Sequence, residues 1–190
     1  MQSEIIIGLS WLSYGLIHSV LASNAAKNLL KASLGRFFGS YRLLYNILAT
    51  ILLIPILYIQ ITTPSEFVLP PSSINYILGG LMIGSGIYLV VVAIRQYNTK
   101  QFLGLEPTTS TSLQTDGLMA VVRHPIYLGI LVVVWGCFGV QGTISNLVMV
   151  LAITLYVRIG VYFEEKKLVE EYGAAYRKYQ KEVPMLIPKL

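Results

Sequence analysis

Charge is scarce in this chain, and so is every residue type that builds metal or disulfide chemistry. Among 190 residues there are one cysteine, two histidines and nine acidic side chains, and only 12% of the chain is charged. Cys137 lies inside an apolar run, where it has no disulfide partner and no ligand spacing, so it reads as packing and no metal site is expected. The net charge of +5 does not argue for nucleic acid, because the cations sit in short segments flanking apolar runs rather than in a basic patch. With 55% hydrophobic residues, a fold in water would leave too much apolar surface exposed, and a lipid-embedded single domain over 1–190 is the expectation.

What is abundant is apolar length. A spanning helix needs roughly 20 mostly apolar residues, and Ile5–Ser23, Leu43–Ile61, Ile74–Ile94, Ile126–Val140 and Ile144–Phe163 approach this. The expected fold is all-α and integral to the bilayer, with about five transmembrane helices. Residues 1–94 form a three-helix front part, and 95–190 a part with a helical hairpin and a C-terminal extension. No Lys or Arg precedes the first run, so it reads as a retained helix rather than a secretory signal. The apolar runs are not matched in pairs, which disfavours an inverted-repeat transporter.

All fourteen Lys and Arg fall in 24–42, in 95–124 and from Arg158 onward. None lies before the first run, in the 62–73 loop or in the Gln141-Gly142-Thr143 turn. The positive-inside rule then places the N-terminus outside and the C-terminus in the cytoplasm. Segment 95–122, with Gly104, Pro107, a Thr/Ser run at 108–112 and Asp116-Gly117, reads as a long functional loop. From Glu164 to Gln180 helical spacing continues, with Leu168, Tyr172, Tyr176 and Tyr179 on one face, as in an amphipathic cytoplasmic helix. The tail Val183-Pro184-Met185-Leu186-Ile187-Pro188 cannot continue a helix and should pack back on the body.

Chemistry concentrates at Arg123-His124-Pro125-Ile126-Tyr127-Leu128-Gly129, which opens the fourth span with Pro125 in the first turn. A helix start beside an Arg and a His suits an anion; the plain alternative is an Arg snorkelling to headgroups. Glu164-Glu165 close the fifth span, and the alternative there is a solvated start of the extension. His18 shares a helical face with Trp11, Gly15 and Ala22 and reads first as an interhelical hydrogen bond, second as a substrate contact.

Together, Arg123-His124-Pro125-x-Tyr127-x-Gly129, Glu164-Glu165-x-x-Leu168-x-x-x-Tyr172-Gly173-x-x-Tyr176-x-x-Tyr179 and Val183-Pro184-x-x-Ile187-Pro188 resemble the isoprenylcysteine carboxyl methyltransferase superfamily. The resemblance covers about residues 111–190. Trp11, His18-Ser19 and Tyr41-Arg42-x-x-Tyr45-Asn46 look more loosely like its bacterial branch, with NnrU-like proteins and methanethiol S-methyltransferase. It implies S-adenosylmethionine as cofactor, held by Thr111, Ser112, Leu113, Gln114, His124, Pro125, Ile126, Tyr127 and Glu164, with no single catalytic residue required. Two positions depart from the pattern. Met119 stands where an aromatic pocket wall is expected, and Gly160 stands where the isoprenylcysteine enzymes carry a substrate-facing Arg.

The expected acceptor is accordingly a small or lipophilic thiol, amine or lipid, entering from the bilayer past Tyr127, Tyr162 and Asn46. The 111–114 loop and the Pro184–Pro188 tail would cover the cofactor. Two other classes share features with the chain. Membrane sterol reductases, which use NADPH, share an Arg-His-Pro-x-Tyr-x-Gly element. A non-catalytic assembly subunit would expose a small-residue face such as Gly79-Gly80, Gly84 and Gly86.

Overall fold

The computed structural model describes residues 2–97, 105 and 112–189. In chain order these form α1 (Gln2–Ala22), α2 (Asn24–Leu34), a 3-10 turn (Gly35–Ser40), α3 (Tyr41–Thr62) and α4 (Ser73–Gln96). A second 3-10 turn (Gly117–Ala120), α5 (Pro125–Val140), α6 (Ile144–Tyr172) and α7 (Ala174–Glu182) complete the described chain. Helix starts follow side-chain chemistry. The hydroxyls of Ser23, Ser72 and Thr143 accept from the amides of Ala26, Asn75 and Asn146, at 3.2, 3.2 and 3.3 Å, each satisfying a donor the helix itself leaves open.

Four helices, α1, α3, α4 and α6, are long and apolar enough to cross a membrane. Their lipid-facing side chains are large and bare: Leu16, Ile61 and Leu81 are all well exposed. In water such surface would drive aggregation, whereas hydrocarbon solvates it. Helix α5 has 16 residues, about 24 Å at 1.5 Å per residue, which is somewhat short of a hydrocarbon layer of roughly 30 Å. It is held by its neighbours rather than by its length.

The closest helix pair is α4 with α5. A Cβ placed on Gly86 would stand 2.7 Å from the carbonyl oxygen of Gly129, and one on Gly79 would stand 2.7 Å from that of Gly136. Glycines seven residues apart on both helices therefore bring the two backbones together antiparallel, and dispersion between close backbones holds them in lipid. The small-residue face expected to mark an assembly subunit is thus partly consumed inside the fold; at Gly80 and Gly84 an added Cβ meets nothing within 4 Å. Although α5 and α6 are joined by the expected tight turn, α5 makes its main contact with α4.

At the end of the bundle without cations, the 63–72 connection pairs with the 141–143 turn. Val68 and Leu69 amides donate to Gly142 O at 2.8 and 2.9 Å, and the Ile144 amide donates to Glu66 O at 2.9 Å. A polar chain then runs inward. Trp11 Nε1 donates to Gln60 Oε1 at 3.0 Å, Gln60 Nε2 to Asn146 Oδ1 at 2.8 Å, and Asn146 Nδ2 to Gln141 O at 2.6 Å. It ties α1, α3 and α6 together, with Gln60 and Asn146 buried, because unpaired amides are costly away from water. At the opposite end the chain departs from expectation in two places. Residues 24–34 form a separate helix, to which the sequence reading assigned no element, and the extension expected as one helix is not one. Gly173, at φ 58°, ends α6 with its amide on Val169 O at 2.9 Å, and α7 turns back from there.

Candidate active site

The approach to α5 is set by Gln96 at the end of α4. Its side-chain carbonyl accepts from the Leu118 amide at 3.2 Å, and its backbone carbonyl accepts from Gln114 Nε2 at 3.0 Å. Gly117, at φ 60°, allows the contact, since a Cβ there would lie 2.0 Å from the Gln96 amide nitrogen. The chain then rises through the 3-10 turn into Arg123-His124, and Pro125 takes the first helical position of α5, where the absent N–H leaves nothing unpaired.

Glu165 is the hub of this corner. Arg123 grips it with both prongs, Nε to Oε1 at 2.7 Å and Nη2 to Oε2 at 2.9 Å. His124 Nε2 lies 3.0 Å from Oε1, the Tyr176 hydroxyl donates to Oε1 at 3.1 Å, and Gln180 Nε2 donates to Oε2 at 2.7 Å. The side chains of Arg123, His124 and Glu165 are only 8%, 5% and 13% exposed. Burial by itself would push the Glu165 carboxyl up, but the hydrogen bonds from Arg123, Gln180 and His124 outweigh it and hold the group at about 2. Burial and the neighbouring carboxylate together push the Tyr176 phenol up, so it stays a donor. Arg123 also reaches the tail, donating through Nη1 to the carbonyls of Gln180, at 3.1 Å, and Val183.

The tail packs back as expected, and does so through its backbone. The amides of Arg123 and His124 donate to Pro184 O and Met185 O at 2.9 and 3.2 Å. Beneath it Met119, Tyr176 and Tyr179 form a buried cluster against which Leu113, Leu168, Val169, Tyr172 and Val183 pack. The apolar face read along 168–179 is therefore covered by the chain itself. Met119, expected to wall the cofactor pocket, is 3% exposed in that cluster, and its carbonyl accepts from Tyr179. Ile187 ends the tail exposed.

Of the expected cofactor contacts, Thr111 lies outside the described residues. Ser112 is exposed, and Leu113 and Gln114 are half-buried under the loop contacts just given. Pro125 is buried, and Ile126 and Tyr127 are half-buried at the start of α5. The His124 ring and amide, expected to hold an anion, are engaged by Glu165 and by Met185 O. The amides of Ile126 and Tyr127 belong to the first turn, which has no intrahelical acceptors. Glu164 is half-buried and sits against Tyr127, with Tyr45 and Tyr156 nearby. Tyr162, expected to line the acceptor gap, is exposed, with the Lys166 ammonium 4.8 Å from its ring centre. Tyr45 and Tyr156 are neighbours of Tyr127.

Within the bundle His18 makes the interhelical bond expected of it, to the Tyr45 hydroxyl, 2.6 Å from Nε2. Sequence reading missed the prominence of Tyr156, whose ring centre lies 6.4 Å from that of His18 and whose hydroxyl accepts from Ser19 Oγ at 3.1 Å. The usable signal was Gly15: a Cβ there would stand 2.7 Å from the Tyr156 ring.

Comparison with known proteins adds to this geometry. A methanethiol S-methyltransferase of Pseudomonas deceptionensis is 39% identical over 115 residues, which is 57% of this chain and 43% of that protein. Methanethiol S-methyltransferase 2 of Bradyrhizobium diazoefficiens is 39% identical over 89 residues, 47% of this chain and 33% of the relative. A protein-S-isoprenylcysteine O-methyltransferase of Schizosaccharomyces pombe is 38% identical over 80 residues, 40% of this chain and 33% of the relative. The matched part spans less than half the length of each of these relatives. No solved structure matches the chain. The family model described as phospholipid methyltransferase matches residues 74–175, from the first turn of α4 to the first turn of α7. It thus takes in the glycine-packed α4–α5 pair, the Arg-His-Pro turn and Glu165, and the chain belongs to the phospholipid methyltransferase family.

Proposed function

We propose that this protein is an integral membrane methyltransferase that uses S-adenosylmethionine and acts on a small or lipophilic thiol, amine or carboxylate acceptor. The observation that carries this reading is the corner built on Glu165. It fuses the start of α5, the end of α6 and the C-terminal tail into one rigid frame, and the family match covers the helices that meet there. The residues left over suit the cofactor. The Ile126 and Tyr127 amides at a helix start suit its carboxylate, Glu164 beside Tyr127 suits its ammonium or ribose hydroxyls, and the tyrosines offer faces to a cation. When bound, the cofactor supplies an electrophilic methyl group on a sulfonium. The chain's part is to orient an acceptor in line with that methyl and to exclude water.

Glu165 and Arg123 act as positioning residues, since they set the angle at which α5 presents Ile126 and Tyr127. Single-site reach into lipid favours acceptors that partition there, because each buried CH₂ contributes about 0.8 kcal/mol. Gly160 carries no side chain that could hold a carboxylate, and an added Cβ there would meet nothing within 4 Å; the cation two residues before it, Arg158, lies 3.9 Å from Met185 Sδ. A neutral thiol fits better than a prenylcysteine carboxylate on that account. The orientation that suits the reading is N-terminus outside and C-terminus cytoplasmic, supported by the pairing of the two cation-free connections at one end. The test offers purified protein radiolabelled S-adenosylmethionine with an alkyl thiol, a prenylated cysteine and a phosphatidylethanolamine. Methyl transfer to the thiol is the expected result. Preferred transfer to the prenylcysteine carboxylate would show that Gly160 does not set acceptor class, and transfer to none would remove the methyltransferase reading.

A further inference from the structure

We infer that His18 and Tyr45 form the acceptor subsite, where a small neutral thiol is held against the imidazole within the bilayer and surrenders its proton to it. The inference rests on the methyltransferase reading and adds the place of the acceptor and the group that activates it.

The argument begins with an unbalanced hydrogen-bond count. An imidazole has two ring nitrogens that seek partners, and at membrane depth an unserved one is costly. The Tyr45 hydroxyl lies between both, 2.6 Å from Nε2 and 3.0 Å from Nδ1. One hydroxyl cannot bond both nitrogens well, and among the described residues no other side chain bonds the ring. One nitrogen is therefore available to a guest. An ionisable ring inside a span is a candidate functional site.

The walls describe the guest. Tyr14 on α1 lies 5.9 Å from the His18 ring centre, Tyr45 on α3 5.0 Å and Tyr156 on α6 6.4 Å. Among the described residues these tyrosines are the titratable groups whose rings face His18, and no carboxylate or cation bonds its ring; Arg42 lies near Tyr45. The absence of a charged partner on the ring removes the simplest structural role, a buried ion pair. It also disfavours a charged acceptor, which would enter without a counter-ion. Aromatic faces favour polarisable sulfur. Gly15 lets the Tyr156 ring close on α1 beside His18, since a side chain there would stand 2.7 Å from that ring.

The subsite also has a route to the cofactor corner. Tyr156 and Glu164 lie on the same helix, eight residues and about 12 Å apart along its axis. Tyr45 and Tyr156 are both neighbours of Tyr127 at the start of α5. A thiol at His18 would thus lie deeper in the bilayer than Glu164 and below Tyr127.

The step is a proton transfer. The S–H bond breaks, its proton passes to the free imidazole nitrogen, and the electron pair stays on sulfur, which becomes the nucleophile. The opposite ring N–H then donates to the Tyr45 oxygen, which spreads the new positive charge. Loss of that proton to solvent restores the neutral ring.

The chain contains only two histidines, His18 and His124, so nitrogen-15 histidine spectra of the detergent-purified protein resolve the question directly. Ethanethiol should shift the His18 ring nitrogens and leave those of His124 unmoved, and Tyr45→Phe should alter the shift. His18→Gln should lower kcat for ethanethiol by about a hundredfold, the usual worth of a positioned base, while S-adenosylmethionine affinity stays as in the parent. That deficit should shrink as the pH approaches the range where the thiol ionises unaided. Unmoved His18 signals on the unaltered protein, or full turnover by His18→Gln, would overturn the subsite. If instead no methyl donor binds and nothing is methylated while His18 still senses thiol, the methyltransferase reading falls and the subsite stands as a binding site.

Discussion

Arg123 and Glu165 meet through two parallel hydrogen bonds, at 2.7 and 2.9 Å, across 42 positions of chain. The pair joins the turn before α5 to the end of α6, and the same guanidinium holds the carbonyls of Gln180 and Val183. Cutting it should loosen both helices and the tail. Glu165→Gln keeps the shape but leaves Arg123 uncompensated in a mostly buried site, a loss of about 3 kcal/mol for such pairs. Thermal unfolding in detergent should show a clear drop for this variant. Lys178 and Glu182, which are 3.8 Å apart and well exposed, give the contrast: Glu182→Gln should leave the midpoint unchanged.

The same pair makes stability depend on acid. Glu165 is held at about 2, against an ordinary value of 4.5. Its folded value is depressed, so its contribution is complete above about 4.5 and is lost as the pH falls toward about 2. Unfolding midpoints of the parent and of Glu165→Gln, measured from neutrality downward, should differ by a constant amount to about pH 5 and then converge. A gap that persists unchanged to pH 2 would mean that the carboxylate is not what stabilises the corner.

The glycines of α4 divide into two kinds. Gly86→Ala forces a Cβ to within 2.7 Å of the Gly129 carbonyl, so α4 and α5 must part, at a cost of roughly 1–3 kcal/mol. Gly84→Ala meets open space and should cost nothing. The comparison is a pair of thermal midpoints, and equal effects would contradict the backbone contact.

Sidedness can be read with single cysteines in a Cys137→Ala background. Glu66 lies in the connection that pairs with the 141–143 turn, and Asp116 precedes the Arg-His-Pro turn. In intact cells an impermeant maleimide should label Glu66→Cys and spare Asp116→Cys. Labelling of Asp116→Cys from outside would reverse the orientation and with it the cytoplasmic placement of the site.

Helices that cross the bilayer were legible because apolar length is a coarse signal that tertiary context rarely overrides. Their starts were legible to within a few residues, Pro125 marking one of them by local chemistry, whereas the last spanning helix runs on past Phe163 to Tyr172. Helix α2 was not, being short and too polar to stand out among loop residues. Glu164 and Glu165 could not be told apart from sequence alone: adjacent residues differ by about 100° around a helix, and which one meets Arg123 depends on how α6 is rotated in the bundle. Gln60 and Asn146 were each visible as polar residues at span ends, but their bond spans 86 positions and no local pattern announces it. His18 was read correctly as an interhelical donor or acceptor, while Tyr45 as its partner emerged only from the packing of α1 on α3.

The central claim is that the corner framed by Glu165 holds S-adenosylmethionine beside Glu164 and the start of α5. Calorimetric titration of the detergent-purified protein with S-adenosylmethionine and, separately, with NADPH tests it most directly. The predicted result is saturable binding of S-adenosylmethionine, no heat with NADPH, and an affinity reduced about ten- to a hundredfold in Glu164→Gln, as expected for a lost charge-assisted hydrogen bond of roughly 1.5–3 kcal/mol. Binding of NADPH in place of S-adenosylmethionine, or undiminished S-adenosylmethionine affinity in Glu164→Gln, would contradict it.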